Sequence, residues 1–246
     1  ESDKANDVTK ALIKACEREG VTIKRKNVTS VLTENGEALG VACGNEKIFA
    51  KKVILACGGA SYPRTGSDGS GHRLAKSVGH NVTEIRPSLV PLVSKDKICR
   101  DCMGLSLKNV GISFFGNDKK PIYEEQGEMM FTHFGVTGPV ILSASSYLKR
   151  DYPYQMFIDL KPALDEKTLD KRLLRDFSEN QNRELKNGFS ALLPSKLIEP
   201  FVKLTGIPPE TRLNSLTKEQ RAKILSLMKA LPVKIVGTRP IDEAIV

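Results

Sequence analysis

The sequence predicts a mixed α/β fold, α+β overall, and three observations carry that expectation. A helix-spaced opening gives way to short alternating strands, residues 89 to 160 are rich in strand-like runs, and residues 165 to 230 are helical. The 246 residues allow one core or two, and 40% hydrophobic with 27% charged residues is an ordinary globular composition. No run of about 18 apolar residues occurs, so nothing reads as a membrane-spanning helix.

The elements follow in order. Val8, Leu12 and Cys16, with Ala5, Ala11 and Ala15, recur at three- and four-residue spacing, which predicts a helix capped by Ser2 or Asp3 and closed at Gly20. Val21 to Ile23 and Asn27 to Leu32 read as strands. Asn35-Gly36 is a two-residue hairpin turn, because both residues tolerate positive φ. Leu39 to Cys43 and Lys47 to Ala50 continue a meander through Gly44-Asn45. Val53 to Cys57 does not alternate, so it reads as a strand buried on both faces, as in a parallel sheet. A short helix with Leu74, Ala75 and Val78 on one face ends at Gly79.

Strand-like runs then cover Leu89 to Val93, Leu105 to Phe115, Met129 to Thr132 and Gln155 to Leu160, a set suited to a small antiparallel sheet or barrel. Pro139 can open a helix running to Tyr147. Leu169, Leu173 and Leu174 repeat at helix spacing, as do Leu197, Ile198, Phe201 and Leu204, and then Ile224, Leu225 and Met228. Arg172, Arg175, Lys218 and Lys223 read as solvated helix faces. Val233 to Val236 returns to strand. Ala244 to Val246 ends the chain on an apolar run without a turn, which reads as a piece of a longer polypeptide.

The net charge of +9 invites polyanions, but it is diffuse. Residues 1 to 93 carry 14 basic and 10 acidic side chains, residues 94 to 231 carry 22 and 17, and residues 232 to 246 carry 2 of each. With no Trp and 6% aromatics, base-stacking platforms are scarce, which argues against a nucleic-acid partner. Five scattered cysteines fit reduced thiols in a cytoplasmic protein. Cys99 and Cys102 form a CxxC that reads as a chance pair in a polar loop, with a redox dithiol or half a zinc site as the alternatives. No metal-ligand spacing links His72, His80 and His133, and no Gly-x-Ser-x-Gly elbow supports a serine hydrolase.

The glycines concentrate the chemistry. Gly58-Gly59 follows the apolar run directly and lets backbone approach a ligand. The loop from Thr65 to Gly71 opens a helix whose free N–H groups and positive dipole end suit an anion or phosphate. It is neither a P-loop nor a G-x-G-x-x-G turn, since Leu74 stands three residues after Gly71.

Five stretches together carry a resemblance. They are Val53 to Pro63, Thr65 to Gly71 with Gly79-His80 behind it, Pro87 to Leu92, Gly127 to Pro139, and Gly237-Thr-Arg-Pro240. In order and spacing the chain resembles the bacterial BaiN-like, aminoacetone-oxidase-like family of FAD-dependent oxidoreductases. The resemblance implies a partial Rossmann-type FAD-binding domain over 1–93 and 232–246, an inserted β-barrel over 94–163 and a helical subdomain over 164–231. It also implies cofactor contacts for Val28, Ala56, Cys57, Gly58, Gly59, Ser61, Tyr62, Thr65, Gly66, Asp68 and Gly69. Cys57 stands where the family usually has Thr, and Gly69-Ser70-Gly71 replaces a usual Gly-Asp-Gly. Members begin with a strand–G-x-G-x-x-G–helix unit and end in a glycine-rich segment closing on the flavin. Neither is found here, so the chain reads as a fragment with weak or no FAD affinity of its own.

The implied chemistry is hydride transfer between FAD and NAD(P)H or a small organic substrate. Amine oxidation and reduction of a conjugated double bond are both within its reach. His133 is the candidate general acid–base, against a rim histidine held by a structural hydrogen bond. Arg239 can place positive charge near a reduced flavin or pair with Asp242 or Glu243. The alternative to an oxidoreductase is a non-catalytic module that binds an acidic macromolecule or ligand.

Overall fold

A computed structural model describes residues 4–149 and 153–245. They form two units, one of residues 1–59 and 69–83, the other of residues 60–68 and 84–246. The proposed caps Ser2 and Asp3 and the terminal Val246 lie outside the described residues.

The first unit holds helix α1 (Ala5–Arg18), an antiparallel sheet of β1 (Ser30–Glu34), β2 (Glu37–Cys43) and β3 (Glu46–Phe49), and helix α2 (Ser70–Ser77), which packs on β1. The hairpin turn is as expected, with Asn35 and Gly36 both at positive φ. Gly40 is a packing requirement, because a Cβ there would lie 2.1 Å from the Ile48 carbonyl oxygen across the ladder.

Two expected strands are not formed: residues 21–23 and 53–57 have no strand structure. A parallel strand is held by neighbours on both sides and covered by helices. No described residue pairs with 53–57, so Ile54 stays 88% exposed instead of buried. α1 is amphipathic, yet Val8 and Leu12 are exposed and none of its described residues is buried. This unit therefore has little core of its own, with Ala42 and Leu74 its buried apolar residues among those described.

The second unit is built on a closed six-stranded antiparallel barrel. Its strands are β4 (Leu92–Ser94), β5 (Ser106–Phe115), β6 (Tyr123–Thr132), β7 (Gly135–Thr137), β8 (Tyr154–Asp159) and β9 (Leu231–Thr238), in the order β4-β7-β6-β5-β8-β9. Alternation fills the interior. Tyr154, Met156 and Ile158 of β8 are buried, as are Leu231, Val233 and Ile235 of β9. Residues 232–246, grouped above with the cofactor domain, thus supply most of a barrel strand. β9 closes the barrel by pairing with β8 on one side and β4 on the other.

Helices α3 (Lys97–Asp101) and α4 (Pro139–Ser145) pack on the barrel, the latter opened by Pro at its first position as expected. Helices α5 (Glu166–Glu179), α6 (Ser195–Thr205) and α7 (Lys218–Lys229) make the helical part. Thr217 and Gln220 form a reciprocal capping box that starts α7. One continuous apolar core joins Ile112, Phe131 and Val233 of the barrel to Leu173, Phe201 and Met228 of these helices. The mixed α/β class and the barrel thus stand as the sequence predicts.

Two further expectations are corrected. Arg172 and Arg175 are not merely solvated, since both donate to Asp176, a carboxylate only 8% exposed. Cys99 lies on α3 and Cys102 at its C-cap, both fully buried in the shared core rather than in a polar loop. Burial pushes both thiols up to about 11, so they are protonated packing groups at neutral pH. No metal-competent cluster of His, Cys, Asp or Glu occurs among the described residues.

Candidate functional site

In the first unit, Val28 precedes β1 and is half-buried, while Ala56, Cys57, Gly58 and Gly59 lie in an exposed segment without regular structure. The start of α2 closes on this segment. Gly69 is the helix N-cap at φ 77°, and its N–H donates to the Gly59 carbonyl over 3.0 Å. A Cβ on Gly71 would sit 3.1 Å from the Cys57 Cβ, so glycine permits the close approach. Around Gly59 the space is open, with nothing within 4 Å of a would-be side chain. Gly69 has no side chain to cap the helix, and the positive dipole end of α2 at this point suits an anion. His72, in the same turn, has a buried Nδ1 with no hydrogen-bond partner among the described residues. Open space at Gly59, a helix start whose N-cap is glycine and an orphaned imidazole nitrogen are features that a polyanionic cofactor such as FAD fits.

Ser61, Tyr62, Thr65, Gly66 and Asp68 belong to the second unit, where a tight turn satisfies itself. The Tyr62 carbonyl accepts from the N–H groups of Thr65 and Ser67 and from the Thr65 hydroxyl. Gly66 takes φ 101° to close that turn, and Ser61 is buried. The eleven cofactor candidates are thereby divided, six in the first unit and five in the second.

His133 is exposed in the β6–β7 turn. Its ring meets Phe134 edge-on, with centroids 5.0 Å apart. The Arg239 guanidinium lies 4.7 Å from the centre of the Phe134 ring. The backbone supports the arrangement, because the Phe134 carbonyl accepts from Ser94 N–H at 2.9 Å and the Pro91 carbonyl from Arg239 N–H at 2.9 Å. Arg239 also forks onto Glu243, with Nε 2.9 and 3.0 Å from the two carboxylate oxygens. That bond raises the arginine's proton affinity and holds the Glu243 carboxyl below its usual range. Of the two roles open to Arg239, the acidic partner is thus Glu243, with Phe134 as a second contact.

Beside this cluster lies a cleft of about 450 Å³ that sequence reasoning missed. Ile85, Arg86, Pro87, Leu148, Lys149 and residues 237–241 line it. Gly237-Thr-Arg-Pro240 was visible as a motif, whereas Arg86 and Lys149 carry no local signal and meet only through the fold. No helix among the described residues is long and apolar enough to cross a membrane.

Comparison with known proteins places this architecture. A family model described as HI0933-like protein barrel and H2TH domain matches residues 86–246. The ribosomal RNA dihydrouridine synthase of Escherichia coli is 26% identical over 92% of this chain and 54% of its own length. The 3-dehydro-bile acid delta(4,6)-reductase of Clostridium scindens is 24% identical over 99% of this chain and 60% of its own length. The Haemophilus influenzae ribosomal RNA dihydrouridine synthase is 26% identical over 80% of the chain and 48% of its own. The chain thus spans about half to three-fifths of these relatives. With the barrel and the helices after it inside the matched region, the chain belongs to the HI0933-like family, the BaiN-like group that its motifs resemble.

Proposed function

We propose that the protein is a flavin-dependent reductase that adds hydrogen across an activated carbon–carbon double bond. The observation that carries this reading is a shared chemistry in the relatives' names. Dihydrouridine is uridine with two further hydrogens on its ring, and a delta(4,6)-reductase saturates ring double bonds. Two relatives that match almost the whole chain therefore differ in substrate and agree in reaction type. That agreement favours double-bond reduction over amine oxidation.

FAD, when bound, supplies the hydride, and NAD(P)H is the donor that restores it. The chain's own residues contribute binding and proton delivery. Gly59 offers open backbone, and the start of α2 offers a positive dipole end to a cofactor phosphate, with Gly58 beside it as a further proposed contact. Val28, Ala56, Cys57 and Gly69, all of the same unit, are the remaining proposed contacts. His133 donates the proton that balances the hydride, so the double bond gains one of each and NAD(P)H loses two electrons. Phe134 and Arg239 hold its turn in place.

Anaerobic mixing tests this reading on the protein expressed from its whole gene. NADPH should bleach bound flavin, and a conjugated enone such as 2-cyclohexenone or a uridine-containing RNA should restore the yellow colour. The recovered acceptor should carry two more hydrogens by mass. Purification without flavin, together with no flavin-stimulated NAD(P)H oxidation, would favour the binding-module alternative instead.

A further inference from the structure

The cleft beside Arg239 has a composition that the reductase reading does not use. Its cationic side chains are Arg86, Lys149 and Arg239, and no carboxylate lines it among the described residues. Arg239 is already answered by Glu243 and feels Asp242 as well, so its remaining role is to shape the wall. Arg86 lies 3.9 Å from Glu84, a long contact between side chains more than half exposed, which is worth little in water. Lys149 has no ion-pair partner among the described residues. Its backbone is nonetheless fixed, because its N–H donates to the Tyr154 hydroxyl at 3.1 Å and its carbonyl accepts from the same hydroxyl at 3.2 Å. The rest of the wall is apolar: Ile85, Pro87, Leu148, Pro240 and Ile241.

Two under-compensated cations above an apolar floor select one kind of ligand. A fully hydrated ion gains nothing from the apolar wall, and a neutral oil leaves the cations unanswered. We infer that this cleft binds an amphipathic small molecule by its anionic group, a carboxylate or a phosphate monoester on an apolar body of roughly eight carbons. At about 450 Å³ the cleft is within the ~300–1,000 Å³ range of small-molecule sites. The inference concerns binding alone and holds whether or not the protein reduces a double bond.

The probes are octanoate, octyl phosphate, 1-octanol and inorganic phosphate, titrated into the intact protein and followed by amide chemical shifts and calorimetry. Saturable binding is expected for at least one octyl anion, with shifts at Lys149, Gly237 and Thr238. The stronger of the two identifies the source as carboxylate or phosphate. Octanol and inorganic phosphate should each bind at least tenfold more weakly. The double variant R86A/K149A should weaken the anion at least tenfold and leave octanol unchanged. Both side chains are exposed, so its melting curve should match that of the parent, and R86K/K149R should restore binding. Equal affinity for octanol, indifference to the double variant, or shifts confined to α1 and residues 51–59 would overturn the assignment. So would a uridine oligonucleotide that binds the cleft in place of both octyl anions.

Discussion

Single residues set limits that composition does not reveal. Gly135 adopts φ 153°, and a Cβ there would fall 2.2 Å from the Leu92 carbonyl oxygen and 2.7 Å from the Ser94 amide nitrogen. Both atoms are backbone in the neighbouring strand β4, so neither can swing away. Gly135→Ala should cost about 2–4 kcal/mol, read as a lowered denaturant midpoint with an unchanged slope. A loss below about 0.5 kcal/mol would mean that β4 can shift. The buried thiols give a pH signature. An unfolded thiol ionises near 9, while Cys99 and Cys102 are held up to about 11 by burial. Between those values the unfolded chain sheds protons that the folded chain keeps, so stability falls as pH rises from about 9 to about 11. Replacing both with Val or Ala should flatten that fall, measured as melting temperature against pH. A parent protein equally stable at both ends would contradict the burial argument. The CxxC spacing was legible in the sequence, but its meaning was not. Two thiols three residues apart look alike in a loop, a metal site or a core, and only the packing of α3 on the barrel and α6 decides among them.

At the scale of elements, signals between sequence neighbours carry into the fold and signals that need distant partners do not. The hairpin at Asn35-Gly36, the Pro-opened helix α4 and the three helices after residue 165 follow from turn chemistry and periodicity, which neighbours in sequence supply. Strands are different, because their identity depends on partners. Residues 53–57 have the apolar texture of a buried strand and, among the described residues, none of the neighbours that make one. β7 spans only Gly135–Thr137, too short for a pattern, yet it joins β4 to β6 and is essential to barrel closure. The start of α7 is a clean test of a local signal. The Thr217 hydroxyl accepts from Gln220 N–H at 3.2 Å and the Gln220 side chain accepts from Thr217 N–H at 2.9 Å. Thr217→Ala should cost about 1 kcal/mol, and Thr217→Ser should recover most of it, as judged by urea unfolding. Equal stability of the two variants would show that the cap contributes nothing here.

The whole molecule divides differently from the way its sequence reads. Barrel and helical segment looked like separate subdomains because their periodicities differ, yet they bury one core. Leu160 N–H donates to the Met228 carbonyl at 2.9 Å, and Lys229 reaches Asp159 as well as the carbonyls of Lys161 and Leu164. The candidate site was legible only in part for the same reason. Glycine motifs announce themselves locally, whereas the cleft formed by residues 85–87, 148–149 and 237–241 draws on three distant stretches. The uneven core has a dynamic consequence. Local opening is governed by how much apolar contact must be broken, and the first unit has little, with Val8, Leu12 and Ile54 all in solvent. The second unit has Phe114, Phe131, Phe189 and Phe201 fully buried in a continuous cluster. Amides of α1 and β1–β3 should therefore exchange at least ~100-fold faster than those of β5, β8 and α5 under native conditions. Those of the barrel and of α5–α7 should share a single global opening free energy, because neither part keeps its core without the other. Peptide-resolved hydrogen exchange on the 246-residue chain measures both. Slow exchange throughout α1 would refute the first expectation. Helices α5–α7 opening well before the barrel would restore the two-subdomain reading.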